Sequence, residues 1–189
     1  MNRGLISICL ILFLVSVSYG DYPLDLSTMH TWGPPIIPIE PPPGPVAVVC
    51  PIGWGIIGEV DVPNAAAFAA NTTVSLDVSV LGSDWAGDNG FQFGLVVNSD
   101  STGWQQADVG AWYWGGDGQD FTETVSFNYN AFKTGTANWA QIILYQNSYS
   151  NDGSITNAVY YLDNLRLTPE PATMALMGLG GLALIRRKK

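Results

Sequence analysis

Apolar and polar residues alternate along the middle of the chain, which is the period of a β-strand with one buried face. The first such run places Val74, Leu76 and Val78 on one face and polar residues on the other. Similar runs follow, separated by turns rich in Gly, Asn, Asp and Ser, at residues 91–97, 104–107, 109–114, 121–129, 139–145 and 158–167. About seven strands without helical periodicity predict an all-β fold, an antiparallel β-sandwich or jelly roll, over residues 64–167.

The part of the chain before this region has a weaker pattern. Seven prolines lie between Pro34 and Pro45, and proline fixes φ and lacks a backbone donor. Residues 21–63 are therefore predicted to be a Pro-rich segment, either a polyproline-like linker or an irregular edge. Residues 62–71 then suit a short helix, with Asn64 as its cap and Asn71 at its end, although a loop fits them almost as well.

Residues 1–20 have the order of a secretory signal peptide. Arg3 precedes an apolar run at 5–15, and Ser18 and Gly20 are small residues at the positions that a signal peptidase reads. We therefore expect signal peptidase to cut after Gly20 and the rest of the chain to be exported.

The C-terminal end carries a second apolar run, at residues 172–185, followed by four basic residues. As a helix this run would cover roughly 21 Å, whereas a bilayer core measures about 30 Å. It is thus predicted to be a short transmembrane helix that holds the chain at the inner membrane transiently. The positive-inside rule keeps the domain outside and the basic stop in the cytoplasm. That stop consists of Arg186, Arg187, Lys188 and Lys189.

Just before this run stand Pro169, Glu170 and Pro171. The order of these residues, the Gly-rich apolar run and the basic end resembles the PEP-CTERM sorting signal of Gram-negative and related bacteria, here at residues 168–189. The resemblance implies recognition by an exosortase, a membrane cysteine peptidase, with cleavage near the motif and transfer to the cell surface or the extracellular matrix. In that family such proteins accompany exopolysaccharide production, so exopolysaccharide is an expected partner.

The charge of the exported part is strongly negative. All 16 acidic residues lie between residues 21 and 171, where Lys133 and Arg166 are the only basic ones. Such a surface repels phosphate backbones, so nucleic-acid binding is not expected. It suits a divalent cation or a neutral ligand, or it serves only to keep an exported protein soluble. Cys50 is the single cysteine after the leader, which excludes an intramolecular disulfide and a cysteine metal site.

The last predicted strand, VYYLDNLRL at residues 159–167, resembles the closing strand of jelly-roll carbohydrate-binding modules. In those modules an Asp at the position of Asp163 often helps to hold a structural calcium ion. The resemblance thus implies a calcium site with Asp163 as a ligand and Glu59 as its partner. No other cofactor is expected.

Two acidic loops offer alternative calcium sites, because calcium prefers oxygen ligands. The same residue types also form turns for purely local reasons. One loop contains Asp84, Asp88 and Asn89, and the other contains Asp117, Gly118 and Asp120.

A carbohydrate site needs exposed aromatic rings, on which the C–H faces of sugars stack, next to side chains that bind hydroxyls. Alternation places Trp112 and Trp114 on one face of a strand, with Tyr113 opposite. Buried Trp is also common in sandwich cores, so at least half of the candidate Trp are expected in the core. The candidates are Trp85, Trp104, Trp112, Trp114 and Tyr149.

No catalytic site is predicted. His30 is the single histidine, and the sequence shows neither a Ser/His/Asp arrangement nor a histidine partner for Cys50. We therefore expect no enzyme, and two interpretations stay open. The chain is either an exported surface or matrix protein associated with exopolysaccharide, or a carbohydrate-binding module that recognises a polysaccharide through exposed Trp and Tyr.

Overall fold

The computed structural model describes residues 21–31, 36–38, 45–85, 87–115 and 118–169. The predicted leader at 1–20, the apolar run at 172–185 and the basic stop lie outside these residues, as do Glu170 and Pro171 of the sorting motif. Within the described residues, no helix is both long enough and apolar enough to cross a bilayer.

The described residues form two antiparallel sheets packed face to face. The six-stranded sheet contains β1 (Tyr22–Pro23), β3 (Ile36–Pro38), β4 (Val46–Pro51), β6 (Thr73–Val80), β9 (Phe121–Asn128) and β11 (Asn157–Thr168). The five-stranded sheet contains β2 (His30–Thr31), β5 (Trp54–Asp61), β7 (Asn89–Ser99), β8 (Gly103–Trp114) and β10 (Ala140–Ser150).

The strand order crosses between distant parts of the sequence, as in a jelly roll. It runs β3-β4-β11-β6-β9 in the six-stranded sheet, where β1 also pairs with β11, and β2-β5-β10-β7-β8 in the other. The predicted all-β sandwich is therefore confirmed.

The core lies between the sheets and is formed by the apolar side of each alternating run. Leu76 and Leu162 of the six-stranded sheet are fully buried, as are Leu95 and Ile142 of the five-stranded sheet. Polar partners fall on the outside, where Ser79 and Thr122 share a hydrogen bond of 2.9 Å. The period-two pattern thus assigns the buried face correctly in these strands.

Strands begin well before residue 64, in the segment predicted to be irregular. β4 pairs with β11 and β5 pairs with β10, so this segment contributes to both sheets. Alternation fails in β4 because Val46, Ala47 and Val48 are all buried. It fails in β5 because the pairing with β10 shifts register between Leu144 and Tyr145.

Two strands that were predicted separately form one strand in the five-stranded sheet. The runs 104–107 and 109–114 form the single strand β8, whose pairing with β7 shifts register between Phe91 and Phe93. Gly110, with φ of +76°, lies where β8 carries its extra residues. A bulge of this kind bends a strand without ending it.

The short helix predicted at residues 62–71 is present at Ala65–Ala70. The Asn64 carboxamide oxygen accepts from the backbone N–H groups of Ala66 and Ala67, at 3.0 and 3.2 Å. Phe68 stacks on Tyr129 with a ring-centroid distance of 4.7 Å, which attaches the helix to the sandwich.

Candidate functional site

The side of the five-stranded sheet that faces away from the core carries the candidate site, and we call it the outer face. Ile142 and Leu144 point into the main core, so Ile143 and Tyr145 point the other way. Together with Val96 they form a small apolar cluster of their own on this face, and Ile56 packs against it. The outer face therefore has an apolar centre that is separate from the main core.

Tyr145 lies across the neighbouring strand β7. A Cβ on Gly94 would lie 1.9 Å from the Cζ atom of Tyr145, so the ring occupies the space above this glycine. The Tyr145 hydroxyl donates a hydrogen bond to Asp108 on β8. Burial, followed by this hydrogen bond, raises the pKa of Tyr145 to about 12. Tyr145 is thereby fixed as a flat ring in the middle of the face.

Three aromatic side chains gather at one end of the outer face. The Trp114 ring lies above Gly90, where an added Cβ would be 3.2 Å from the indole Cε3 atom. The Tyr149 ring centroid is 5.1 Å from that of Trp114 and 5.7 Å from that of Trp112. We call these three residues the first aromatic end. Trp54 stands nearby on β5, 6.2 Å from Tyr145 between ring centroids.

The opposite end of the outer face presents Trp104 and Trp139, which we call the second aromatic end. Trp104 pairs with Asn98, and Trp139 precedes the outward-facing Gln141 by two residues. The loop before Trp139 is fixed by Asn138, whose backbone and side-chain N–H groups donate to the Asp100 carboxylate at 2.9 and 2.7 Å. These bonds, the side-chain one first, lower the pKa of Asp100.

The two aromatic ends are far apart along the strands. Trp114 lies opposite Gly90 and Trp104 lies opposite Asn98 on the same strand β7. Eight residues of strand correspond to about 27 Å at about 3.4 Å per residue. Gln106 and Asp108 lie in the interval and Gln141 is level with Trp104, so rings and hydrogen-bonding groups share one elongated surface.

The exposed fractions of the Trp side chains show which of the predicted ligand contacts lie at the surface. The exposed fractions are 63% for Trp54, 52% for Trp114, 50% for Trp104, 45% for Trp139 and 38% for Trp112. Trp104, Trp112 and Trp114 thus have the exposure that ligand stacking requires, and Tyr149 is half-buried beside them. Their role as ligand contacts stays a prediction.

The prediction that Trp85 contacts a ligand is wrong, because its side chain is 0% exposed. Its ring packs on Phe91 and Tyr160, with centroid distances of 4.7 and 5.8 Å. The polar sequence around Trp85 suggests a surface turn, but the short helix Gly82–Trp85 directs the indole into the core. Trp85 is therefore a core residue and cannot stack on a ligand.

Two exposed aromatics of the outer face were missing from the predicted site. Trp139 shows the right alternation with Gln141 and Tyr145, so its position could have been inferred from the sequence. Trp54 lies in the segment without clear alternation, and only the pairing of β5 with β10 places it on this face.

The structure does not bring Asp163 and Glu59 together. Asp163 lies on β11 of the six-stranded sheet opposite the outward-facing Asp77, and Glu59 lies on β5 of the five-stranded sheet opposite the outward-facing Ile143. Packed sheets are about 10 Å apart, so residues on their outer sides cannot share one ion. Asp163 instead accepts from the backbone N–H of Asn164 at 2.7 Å.

Polar groups of the two acidic loops bond to residues of other segments of the chain. Asp88 accepts from the Asn151 side chain at 2.9 Å, and Asn89 donates to Ser154 at 2.9 Å. Asp120 accepts from the backbone N–H of Gly82 at 2.9 Å. Within the described residues, which exclude Asp117, no three His, Cys, Asp or Glu side chains are arranged to hold a metal ion.

Residues 167–189 match the PEP-CTERM protein-sorting motif. The motif includes the predicted residues Pro169, Glu170 and Pro171 and the basic end. The motif implies an exported protein with a C-terminal membrane-anchored stage and processing by an exosortase. No curated protein is significantly similar to the chain in sequence.

Solved carbohydrate-binding modules are among the structures similar to this chain. CBM27-1 of Caldicellulosiruptor saccharolyticus, solved in complex with mannohexaose, is 14% identical with a TM-score of 0.44, covering 80% of this chain and 98% of that module. The CBM22-1 xylan-binding domain from Paenibacillus barcinonensis Xyn10C is 14% identical with a TM-score of 0.43, covering 79% and 94%. A CBM4 structure is 15% identical with a TM-score of 0.37, covering 80% and 94%.

Proposed function

We propose that this protein is an exported surface or matrix protein that binds a polysaccharide along the outer face of its five-stranded sheet, with exopolysaccharide as the expected ligand and no catalytic activity of its own. The observation that carries the proposal is the row of exposed rings on a single face of the sheet. Several exposed Trp rings on one face of a sheet are typical of a surface that contacts a partner. Export places this face where extracellular polysaccharide is present.

The chemistry of the outer face suits sugars. The flat faces of Trp and Tyr can stack against the C–H faces of pyranose rings. On the same face, Gln106, Gln141 and Asp108 offer both donors and acceptors to hydroxyl groups. A ligand that is apolar on its ring faces and polar at its edges matches both features.

The site is also largely fixed before a ligand arrives. Tyr145 is held by Asp108, and Trp114 rests on Gly90 beside Tyr149. Side chains that are already ordered lose little conformational entropy on binding. The length of the face, about 27 Å between its aromatic ends, suits a chain of several sugars better than a single one.

Affinity electrophoresis tests the proposal. Residues 21–169 contain every described strand and can be run in gels that contain different polysaccharides, including exopolysaccharide from the producing cell. Retardation that is lost in the Trp112→Ala/Trp114→Ala variant supports the proposal. Phe132→Ala is the control, because Phe132 is an exposed aromatic that packs on Phe127 of the six-stranded sheet.

Two results would count against the proposed function. One is unretarded migration in every polysaccharide, the producer's own included. The other is equal loss of retardation in the Phe132→Ala control, since that loss would show that the effect of removing a ring is not specific to the outer face. The proposed surface location has a separate test, in which mass spectrometry reads the C-terminus in cells that contain an exosortase. A persistent intact end through Lys189 contradicts processing at the motif.

A further inference from the structure

We infer that the polysaccharide bound by the outer face carries free amino groups, and that acidic polysaccharides are excluded. The inference rests on the proposed function and concerns the charge class of the ligand. Three carboxylates lie on the outer side of their strands along this face. Glu59 on β5 and Asp108 on β8 lie between the two aromatic ends, and Asp61 on β5 is level with Trp104 through Gln141 and Asn98.

Basic groups that could offset these carboxylates are engaged elsewhere. Arg166 lies on the other sheet, with its Nε atom 3.9 Å from Asp21 and its Nη1 atom 4.0 Å from Asp77. Lys133 donates to the backbone carbonyls of Ala69 and Asn71 at the end of the short helix. These are the only Lys and Arg between residues 21 and 169. A carboxylate or sulfate on a ligand would therefore meet like charge on this face without a lysine or arginine to receive it.

His30 does not alter this charge pattern. It pairs with Glu59 along β2 and β5, and its Nδ1 atom is 3.9 Å from the Glu59 carboxylate. When protonated, His30 would offset the charge of Glu59 alone. Asp108 would keep the centre of the face negative, and Asp61 would keep the second aromatic end negative.

Two of the carboxylates are oriented by residues of β10. Asp61 accepts from the Gln141 side chain at 2.9 Å, and Asp108 accepts from the Tyr145 hydroxyl. Both bonds use the Oδ1 atom and leave the Oδ2 atom for a ligand. Asp61 and Asp108 are also exposed, so an ammonium group of a sugar could reach them without displacing the strands.

The aromatic rings favour the same ligand charge. The face of an indole or phenol ring is electron-rich, so it attracts cations and repels anions. A chain of amino sugars along the face would gain from stacking on Trp104 or Trp114 and from meeting the Asp108 carboxylate midway between them. Acidic sugars would be disfavoured by the rings and by the carboxylates. Neutral sugars would gain from stacking on the rings but not from the carboxylates.

Isothermal titration with three oligosaccharides of equal length and identical linkage tests the inference. One bears free amines, one is its N-acetylated neutral form and one bears carboxylates. We expect the amine form to bind about fivefold more tightly than the neutral form at low salt, and the acidic form not to bind. Added salt should bring the amine and neutral affinities together, because screening weakens exposed charge pairs.

Variants separate a local effect from the overall charge, which matters because the whole chain is acidic, with a formal net charge of −9. Asp61→Asn/Asp108→Asn should abolish the preference for the amine form. Asp163→Asn is the matched control, since it removes a carboxylate from the opposite sheet and should preserve the preference. The inference is overturned if the acidic form binds as tightly as the neutral one, or if Asp163→Asn has the larger effect.

The failure of this inference differs from failure of the proposed function. Binding of the acidic form that is lost in Trp112→Ala/Trp114→Ala would keep the outer face as a glycan site and reject only its charge preference. Binding of none of the three forms, together with the absence of retardation by every polysaccharide in the gels, would reject both. Amine binding that survives loss of both Trp side chains would show attraction to the general surface and would overturn the inference.

Discussion

The ring of Tyr145 lies directly above the α-carbon of Gly94, in the space that any larger residue would need. The two residues are register partners on β10 and β7, and Asp108 is the partner of Gly94 on its other side. A single tyrosine thus crosses β7 from β10 and reaches the carboxylate on β8. Gly94 is what allows three strands of the outer face to be joined in this way.

Gly94→Ala is expected to destabilise the protein and to weaken glycan binding together. The new methyl group must push the Tyr145 ring aside, which breaks its hydrogen bond to Asp108. Overpacking of this kind costs about 1–3 kcal/mol in the free energy of unfolding. Chemical denaturation gives the stability change, and affinity electrophoresis gives the change in binding.

Gly55→Ala serves as the control, because Gly55 lies in the same sheet with open space around the position of a Cβ. It should change stability by no more than a few tenths of a kcal/mol. If Gly94→Ala is as stable as this control, the ring does not need the glycine and the described packing is wrong.

Trp85 and Trp104 should respond in opposite ways to truncation. Trp85→Ala leaves a cavity beside Phe91 and Tyr160 and is expected to cost about 3–5 kcal/mol of unfolding free energy. Trp104 is half exposed, so Trp104→Ala should stay within about 0.5 kcal/mol of the natural protein while reducing retardation by polysaccharide. Denaturation curves of the two variants side by side measure the contrast. A large stability loss in Trp104→Ala would mean that this ring supports the fold.

The contrast between these two tryptophans shows where sequence reasoning succeeds. Trp112 and Trp114 lie in a strand whose alternation identifies the outward face, so their exposure follows from the period of the strand. Trp85 lies between polar turn residues, and a four-residue helix reverses the direction that local composition suggests. Composition describes the neighbours of a residue along the chain, whereas burial depends on what packs against it from elsewhere.

The pairing of strands sets a second limit to prediction from sequence. The outer face forms because β5, β10, β7 and β8 are adjacent, although residues 54–61 and 140–150 are far apart in the chain. Alternation shows that each strand has two faces, but it does not reveal which strands are neighbours. The placement of Trp54 beside Tyr145, and the separation of Glu59 from Asp163, follow only from this order.

Lys133 is expected to stabilise the short helix at Ala65–Ala70 through its charge. Its Nζ atom donates to the carbonyls of Ala69, at 3.0 Å, and Asn71, and lies 4.9 Å from the Tyr129 ring centroid. Lys133→Met keeps an apolar stem but removes the donors, so the unfolding free energy should fall by about 1.5–3 kcal/mol. Chemical denaturation measures the loss. Lys133→Arg retains a cation and should lose less unfolding free energy than Lys133→Met. If Lys133→Met has the same unfolding free energy as the natural protein, only the apolar stem of Lys133 contributes to stability.

The alkaline stability of the protein should report on Tyr145. Its pKa is raised from the ordinary value of 10.0 to about 12, first by burial and then by the hydrogen bond to Asp108. A raised pKa means that the folded state favours the neutral phenol. The stability that Tyr145 contributes is therefore complete below pH 10 and is lost as the pH rises towards 12.

The difference in unfolding free energy between the natural protein and Tyr145→Phe isolates this contribution. Other buried tyrosines, such as Tyr129 and Tyr160, also have raised pKa values, but they are common to both proteins and cancel in the difference. We expect the advantage of the natural protein to be constant up to about pH 10 and to shrink above it. A constant advantage throughout this range would mean that Tyr145 ionises as an exposed phenol does, and that its position above Gly94 is not maintained in solution.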